Sequence, residues 1–202
     1  ASSIDNPVVM PDGRVESNGN FHGAPVGYVL DFLAIAATDL GSMAERRTDR
    51  ALDQYRSAGL PPFLAHDPGV VSGLMIAQYT QAGLVSENKR LSTPASVDSI
   101  PSSAMQEDHV SMGWSAARKL RKVVDNLARI LAIELVTAAR AIEFRTGLTP
   151  APATARVVKE LRTVVGGVGP DRFLSPELEA ATALVNSGAV VAAAKEVVKQ
   201  LI

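Results

Sequence analysis

From about residue 104 to 146, apolar residues return every seven positions: Val110, Ala117, Val124, Leu131 and Ala138. Leu120 and Leu127 fill the alternate row. A period of seven over such a span predicts one helix, on the order of 60 Å long at 1.5 Å per residue. Arg118, Lys119, Arg121, Lys122, Asp125 and Arg129 make its first half one-sided, whereas beyond Leu127 apolar residues occupy most faces. A helix of this length in a chain of 202 residues has more apolar stripe than its own chain can cover. Partner subunits or a further domain are expected to cover the rest. The fold class that follows is all-α, an elongated helical bundle around this long central helix.

The other segments fit that frame. Residues 1–24 hold Pro11-Asp-Gly13 and Asn18-Gly19, turn signals compatible with a short hairpin lead-in. A helix is predicted from Pro25 to about Ser57, with Val26, Leu30, Leu33, Ala37, Leu40 and Ala44 on one face. A second spans roughly 70–91, and a proline-marked loop covers 92–102. Gly147, Pro150 and Pro152 set a joint, which divides the chain into a bundle portion, 1–146, and a C-terminal helical appendage, 147–202. Within the appendage, helices are expected over 153–165, from a Ser175 cap to near Gly188, and over 189–201. Gly166-Gly-Val-Gly-Pro170 lacks the Lys-Ser/Thr that completes a phosphate loop and reads as a breaker.

Composition narrows the function. Aromatics are only 4% while 47% of residues are hydrophobic, which suits helices packed through small side chains. A net charge of −1 gives no reason to expect nucleic acid or an anionic membrane as partner. Asp31 and Asp39 interrupt the apolar run Val26–Leu40, which argues against an ordinary membrane span. The absence of cysteine excludes disulfides and a thiol nucleophile. With no basic-then-apolar leader pattern, a cytoplasmic setting is the expectation.

The start of the long helix carries the clearest chemical signal. Ser103 is a good N-cap, and Gln106 three residues on completes a capping box. Glu107 and Asp108 then fall in the first turn, where the helix dipole favours their ionised form. Such a carboxylate either compensates the dipole or, at a loop-to-helix junction, binds a cation or accepts a proton. Phe21 lies where a turn enters the first predicted helix and reads as a staple on that helix. Met75, one turn into the second helix, reads as core filler. His22, His66 and His109 lack the spacing of zinc ligands, and Glu107, Asp108 and His109 fan out around a helix, so no metal site is expected.

Several stretches, taken together and in order, carry a resemblance. Ser17-Asn-Gly-Asn-Phe-His-Gly23, Gly41-Ser-Met-Ala-Glu-Arg-Arg47, Ser86-Glu-Asn-Lys89, Pro94-Ala-Ser-Val-Asp-Ser99 and Ser103-Ala-Met-Gln-Glu-Asp-His-Val-Ser-Met-Gly113 resemble segments of histidine ammonia-lyases. These are members of the aromatic amino-acid ammonia-lyase family. The likeness runs from Asp5-Asn-Pro7 to about Arg145; Asp171-Arg-Phe173 matches more loosely, and Met105 stands where many histidine lyases carry Asn.

The resemblance implies an ammonia-lyase/fumarase-like helical fold and non-oxidative deamination of L-histidine to urocanate. It further implies a homotetramer whose sites draw on several subunits. In such enzymes a methylidene-imidazolone ring, made from an internal Ala-Ser-Gly, supplies the electrophile. This chain contains no Ala-Ser-Gly, only Ser57-Ala-Gly59 and Val71-Ser-Gly73. The expectation is therefore a C-terminal portion of a longer enzyme, inactive alone, with the prosthetic group in the missing N-terminal part. By the resemblance, Glu107 is catalytic, near the substrate's amino group or imidazole, while Phe21 and Met75 border the substrate. A carboxylate beside the substrate suits a histidine ring better than an apolar one. Some tyrosine-type relatives share Gln-Glu-Asp here, so a tyrosine or phenylalanine ammonia-lyase or an aminomutase is the alternative within the family. A helical oligomerisation module without chemistry is the alternative outside it.

Overall fold

The computed structural model describes residues 5–198. Two short strands, β1 (Val8–Val9) and β2 (Val15–Glu16), pair as an antiparallel hairpin. Its turn is closed by the Met10 amide donating to the Arg14 carbonyl at 2.8 Å. The rest of the regular structure is helical: α1 (Ala24–Leu52), α2 (Met75–Leu91), α3 (Gly113–Glu143), α4 (Pro152–Leu161), α5 (Ser175–Ser187) and α6 (Ala189–Lys195). The expected all-α bundle is what forms. The spine is α3, 31 residues and about 46 Å long. Along it lie α1 and, less extensively, α2 and α5, while α4 pairs with α6.

Several helix ends differ from the sequence reading, each for a local reason. The long helix begins at Gly113, not at 104, because residues 103–105 turn with the opposite hand. The first helix stops at Leu52 rather than near Ser57. There Asp53 folds its carboxylate onto the Tyr55 and Arg56 amides, at 2.7 and 3.2 Å, and so competes with the helical ladder. The second starts at Met75 rather than 70, after Gly73 at φ +61°. A Cβ on Gly73 would lie 2.4 Å from the Phe63 carbonyl oxygen. The 153–165 segment stays helical only to Leu161. Ser175 is the first helical residue of α5, with Leu174 at the cap position. Residues 199–201 of the last expected helix lie outside the described residues.

The packing faces are the larger surprise. The side of α1 turned to its neighbours is made of Gly27, Ala34, Ala37, Gly41 and Ala44 together with the polar Asp31, Thr38, Glu45 and Thr48. Leu30 and Leu52 pack inward, but most of its larger apolar residues point away: Val29 is 64% and Phe32 72% exposed, and Val26, Leu33 and Leu40 are also exposed. In α3 the buried seven-residue row is Ala116, Val123, Ile130 and Thr137, one position ahead of the row read from sequence. Val124, from the predicted row, is 48% exposed. The expected Leu120–Leu127 row does face the core, with Leu120 8% exposed, so only the longer row is displaced by one position. A Cβ on Gly27 would lie 3.2 Å from the Gly113 Cα.

By length and composition α1 is apolar enough to cross a membrane, but it lies along α3 and buries charge there. Polar groups line the seam between α2 and α3. Gln81 donates to the Ile130 carbonyl at 2.9 Å, and Asn126 donates to Glu87 at 2.6 Å and to Asn88 at 2.9 Å. Each donor so placed satisfies a group that burial would otherwise strand. Farther along α3, Leu64, Leu74, Ile133, Val136, Leu161 and Ala181 join in one core, which ties the C-terminal helices to the spine.

Candidate active site

Two loops precede the starts of α1 and α3, and the close approach at Gly27 and Gly113 sets these starts side by side. Neither helix has an acidic residue in its first turn or a side-chain cap, so both positive dipole ends meet unneutralised by their own residues.

The loop before α3 contains Glu107. It does not stand in a helical first turn, and Ser103 is not a helix cap. Ser103, Ala104 and Met105 instead adopt φ values of +52°, +52° and +71°, a left-handed turn built without glycine. Each such residue costs about 1–2 kcal/mol relative to its right-handed form. Ser102 and Glu107 close the turn as a bridge: the Ser102 amide donates to the Glu107 carbonyl at 2.9 Å and the reverse bond is 3.3 Å. The Glu107 backbone is thus fixed while its side chain is exposed.

The loop before α1 contains Phe21, also exposed. His22 joins the two loops. Its Nε2 lies 2.8 Å from the His109 carbonyl oxygen, and its Nδ1 accepts from the Ala24 amide at 3.2 Å. Its ring stacks on that of His109 with centroids 5.2 Å apart and planes 7° from parallel. Phe21 follows at 6.2 Å from His22, tilted by 55°. Phe21 and Glu107 are therefore carried by segments tied to each other. Met75 is half-buried at the opposite end of α2 from the segment that leads to Ser102, about 24 Å along the helix from Leu91.

Support comes from residues the sequence reading used only as interruptions or set aside. Asp31, 3% exposed, accepts from the Ala95 and Ser96 amides at 2.9 and 2.8 Å and pairs with Lys119 at 3.4 Å. Burial by itself raises its carboxyl pKa, but the Ser96 amide and hydroxyl together with Lys119 outweigh that and hold it below the usual carboxylate range. It anchors the stretch that leads into the Glu107 turn. Ser99 then accepts from the Val110 amide at 2.9 Å on the far side of that turn. Asp171 does similar work at α2, accepting from the Ser72 and Gly73 amides at 2.7 and 3.0 Å. An acidic residue inside an apolar helical run, as at Asp31, was the one available signal. A separate cleft of about 450 Å³ lies between α2, α3 and α5, lined by Ile76, Thr80, Ile133, Phe173 and Leu178, and contains neither Phe21 nor Glu107.

A helical spine with two loops gathered at the paired helix starts is the arrangement of a lyase bundle, and comparison identifies which. The family described as aromatic amino acid lyase matches residues 1–163, and the chain belongs to that family. Within it, the chain is 74% identical over 198 residues to a histidine ammonia-lyase of Streptomyces avermitilis, covering 98% of this chain and 39% of that protein. Among solved structures, a histidine ammonia-lyase from Trypanosoma cruzi superposes with a TM-score of 0.90 at 45% identity, covering 95% of this chain and 38% of the other. A tyrosine aminomutase from Streptomyces globisporus gives 0.92 at 37% identity, covering 98% and 38%. The chain thus spans about two fifths of the length of the relatives it matches.

Proposed function

We propose that this chain is the C-terminal portion of a histidine ammonia-lyase, and that the full-length enzyme removes ammonia from L-histidine without oxidation to give urocanate. The 74% identity to such an enzyme carries this reading. The electrophile is made outside this sequence. Its Ala-Ser-Gly precursor is absent, and the near misses are committed elsewhere. The buried Ser57 hydroxyl donates to the Leu60 carbonyl at 3.2 Å, and the Ser72 and Gly73 amides are taken by Asp171. When bound in the full-length enzyme, a methylidene-imidazolone supplies the electrophilic carbon that activates the substrate amine.

The residues here bind and orient. The Glu107 carboxylate accepts a charge-assisted hydrogen bond from the substrate's ammonium or imidazole. Phe21 offers an aromatic face to the flat imidazole ring. Met75, far along α2 from both, borders a site together with side chains of another copy. That placement and the outward apolar face of α1 support a homotetramer with shared sites.

The test is direct. Full-length protein should form urocanate from L-histidine, followed by near-ultraviolet absorbance, and should leave L-tyrosine unchanged. The 202-residue chain alone should form none. Turnover of L-tyrosine in preference to L-histidine would assign the aminomutase or tyrosine-lyase branch instead.

A further inference from the structure

We propose that His22 is a positioning residue for this reaction, holding the Phe21 loop and the Glu107 turn in register through a single neutral tautomer. The inference rests on the ammonia-lyase reading above. A backbone amide only donates, so the 3.2 Å contact from the Ala24 amide places a lone pair on Nδ1. A carbonyl only accepts, so the 2.8 Å contact to His109 places the proton on Nε2. Both ring nitrogens are thereby spent on backbone groups, one three residues after Phe21 and the other two residues after Glu107. The parallel stack on the His109 ring, with centroids 5.2 Å apart, adds a second constraint on the same distance.

Two observations separate this from general scaffolding. The helix starts are already held by the Gly27–Gly113 approach, so the bundle does not need His22 to bring α1 and α3 together. What lies outside that contact is the pair of loops, and the His22 side chain reaches across 87 positions to join them. The chemistry is also specific. A glutamine amide offers both an N–H donor and a carbonyl acceptor and so retains both kinds of bond, whereas a phenylalanine keeps a ring and loses both.

Full-length His22→Phe and His22→Gln are compared with the unsubstituted protein in three measurements: kinetics on L-histidine, thermal unfolding, and hydrogen exchange of the 102–112 amides. In His22→Phe, kcat/KM is expected to fall about 10-fold or more, the scale on which a displaced group shows. Its melting temperature should stay nearly unchanged, its 102–112 amides should exchange faster, and His22→Gln should recover most of both losses. Unaltered kcat/KM and exchange in His22→Phe overturn the proposal. So does a glutamine variant as impaired as the phenylalanine one, or a melting temperature that collapses together with activity. Should the unsubstituted protein leave L-histidine untouched, the ammonia-lyase reading falls by itself. The exchange experiment then still decides whether His22 ties the loops.

Discussion

Glu107 owes its position to three neighbours of the wrong hand for their type. Ser103, Ala104 and Met105 hold left-handed backbone without the glycine that would make it easy. Strain of this kind persists where the surroundings over-determine it, here through the two Ser102–Glu107 backbone bonds. In the full-length enzyme Glu107→Gln should keep the fold and lower kcat by well over ~10-fold, since an exposed carboxylate contributes to binding and chemistry rather than to packing. Near-normal turnover would return the residue to a surface role. Phe21→Ala should reduce kcat/KM more than it lowers the melting temperature; the reverse pattern would make Phe21 a staple. The motifs that hold both residues were legible in the sequence. The turn that presents Glu107 was not, because Ser103 and Gln106 spell a capping box and nothing in Ser-Ala-Met marks a left-handed conformation.

At the scale of elements, period survived translation into structure and phase did so only in part: Leu120, Ala37 and Ala44 face inward as expected, whereas Val124, Leu33 and Leu40 do not. Seven-residue spacing located α3, yet its buried row is the one headed by Ala116, since a reading by size favours Val124 and Leu131 over the alanine that permits close approach. The same bias misplaced Val26, Leu33 and Leu40 of α1, which face outward, whereas Ala37 and Ala44 of the same predicted row are buried beside Asp31. Two tests belong here. Gly73→Ala should destabilise the protein by about 1–3 kcal/mol in urea or thermal unfolding, because both its φ of +61° and the Phe63 carbonyl oppose a Cβ. Asp31 has a folded pKa below its unfolded one, so its charged form favours the native state. That contribution is complete above about pH 4 and is lost as pH falls through the lower folded value. Asp31→Asn should therefore be less stable than the parent near neutrality. The gap between their urea midpoints should narrow as the solution is acidified below about pH 4. A constant gap would exclude ionisation as the source of the effect.

The molecule as a whole turns its bulkiest apolar side chains outward along α1, and Trp114 is 77% exposed at the start of α3. Contiguous apolar surface of this kind marks an association face. Light scattering on the 202-residue chain should find oligomers that dissociate on dilution; monomers over a wide concentration range would contradict the shared-helix assembly. The inverted face of α1 also governs how the native state is reached. A helix whose inner side offers mostly glycine, alanine and polar groups leaves much of its larger apolar surface uncovered by its own chain, and on the tetramer reading a second chain buries it. On that reading, acquisition of structure and encounter between chains are one kinetic event. Refolding yield should rise with protein concentration before aggregation limits it, and the slowest phase should be bimolecular rather than a property of any single chain.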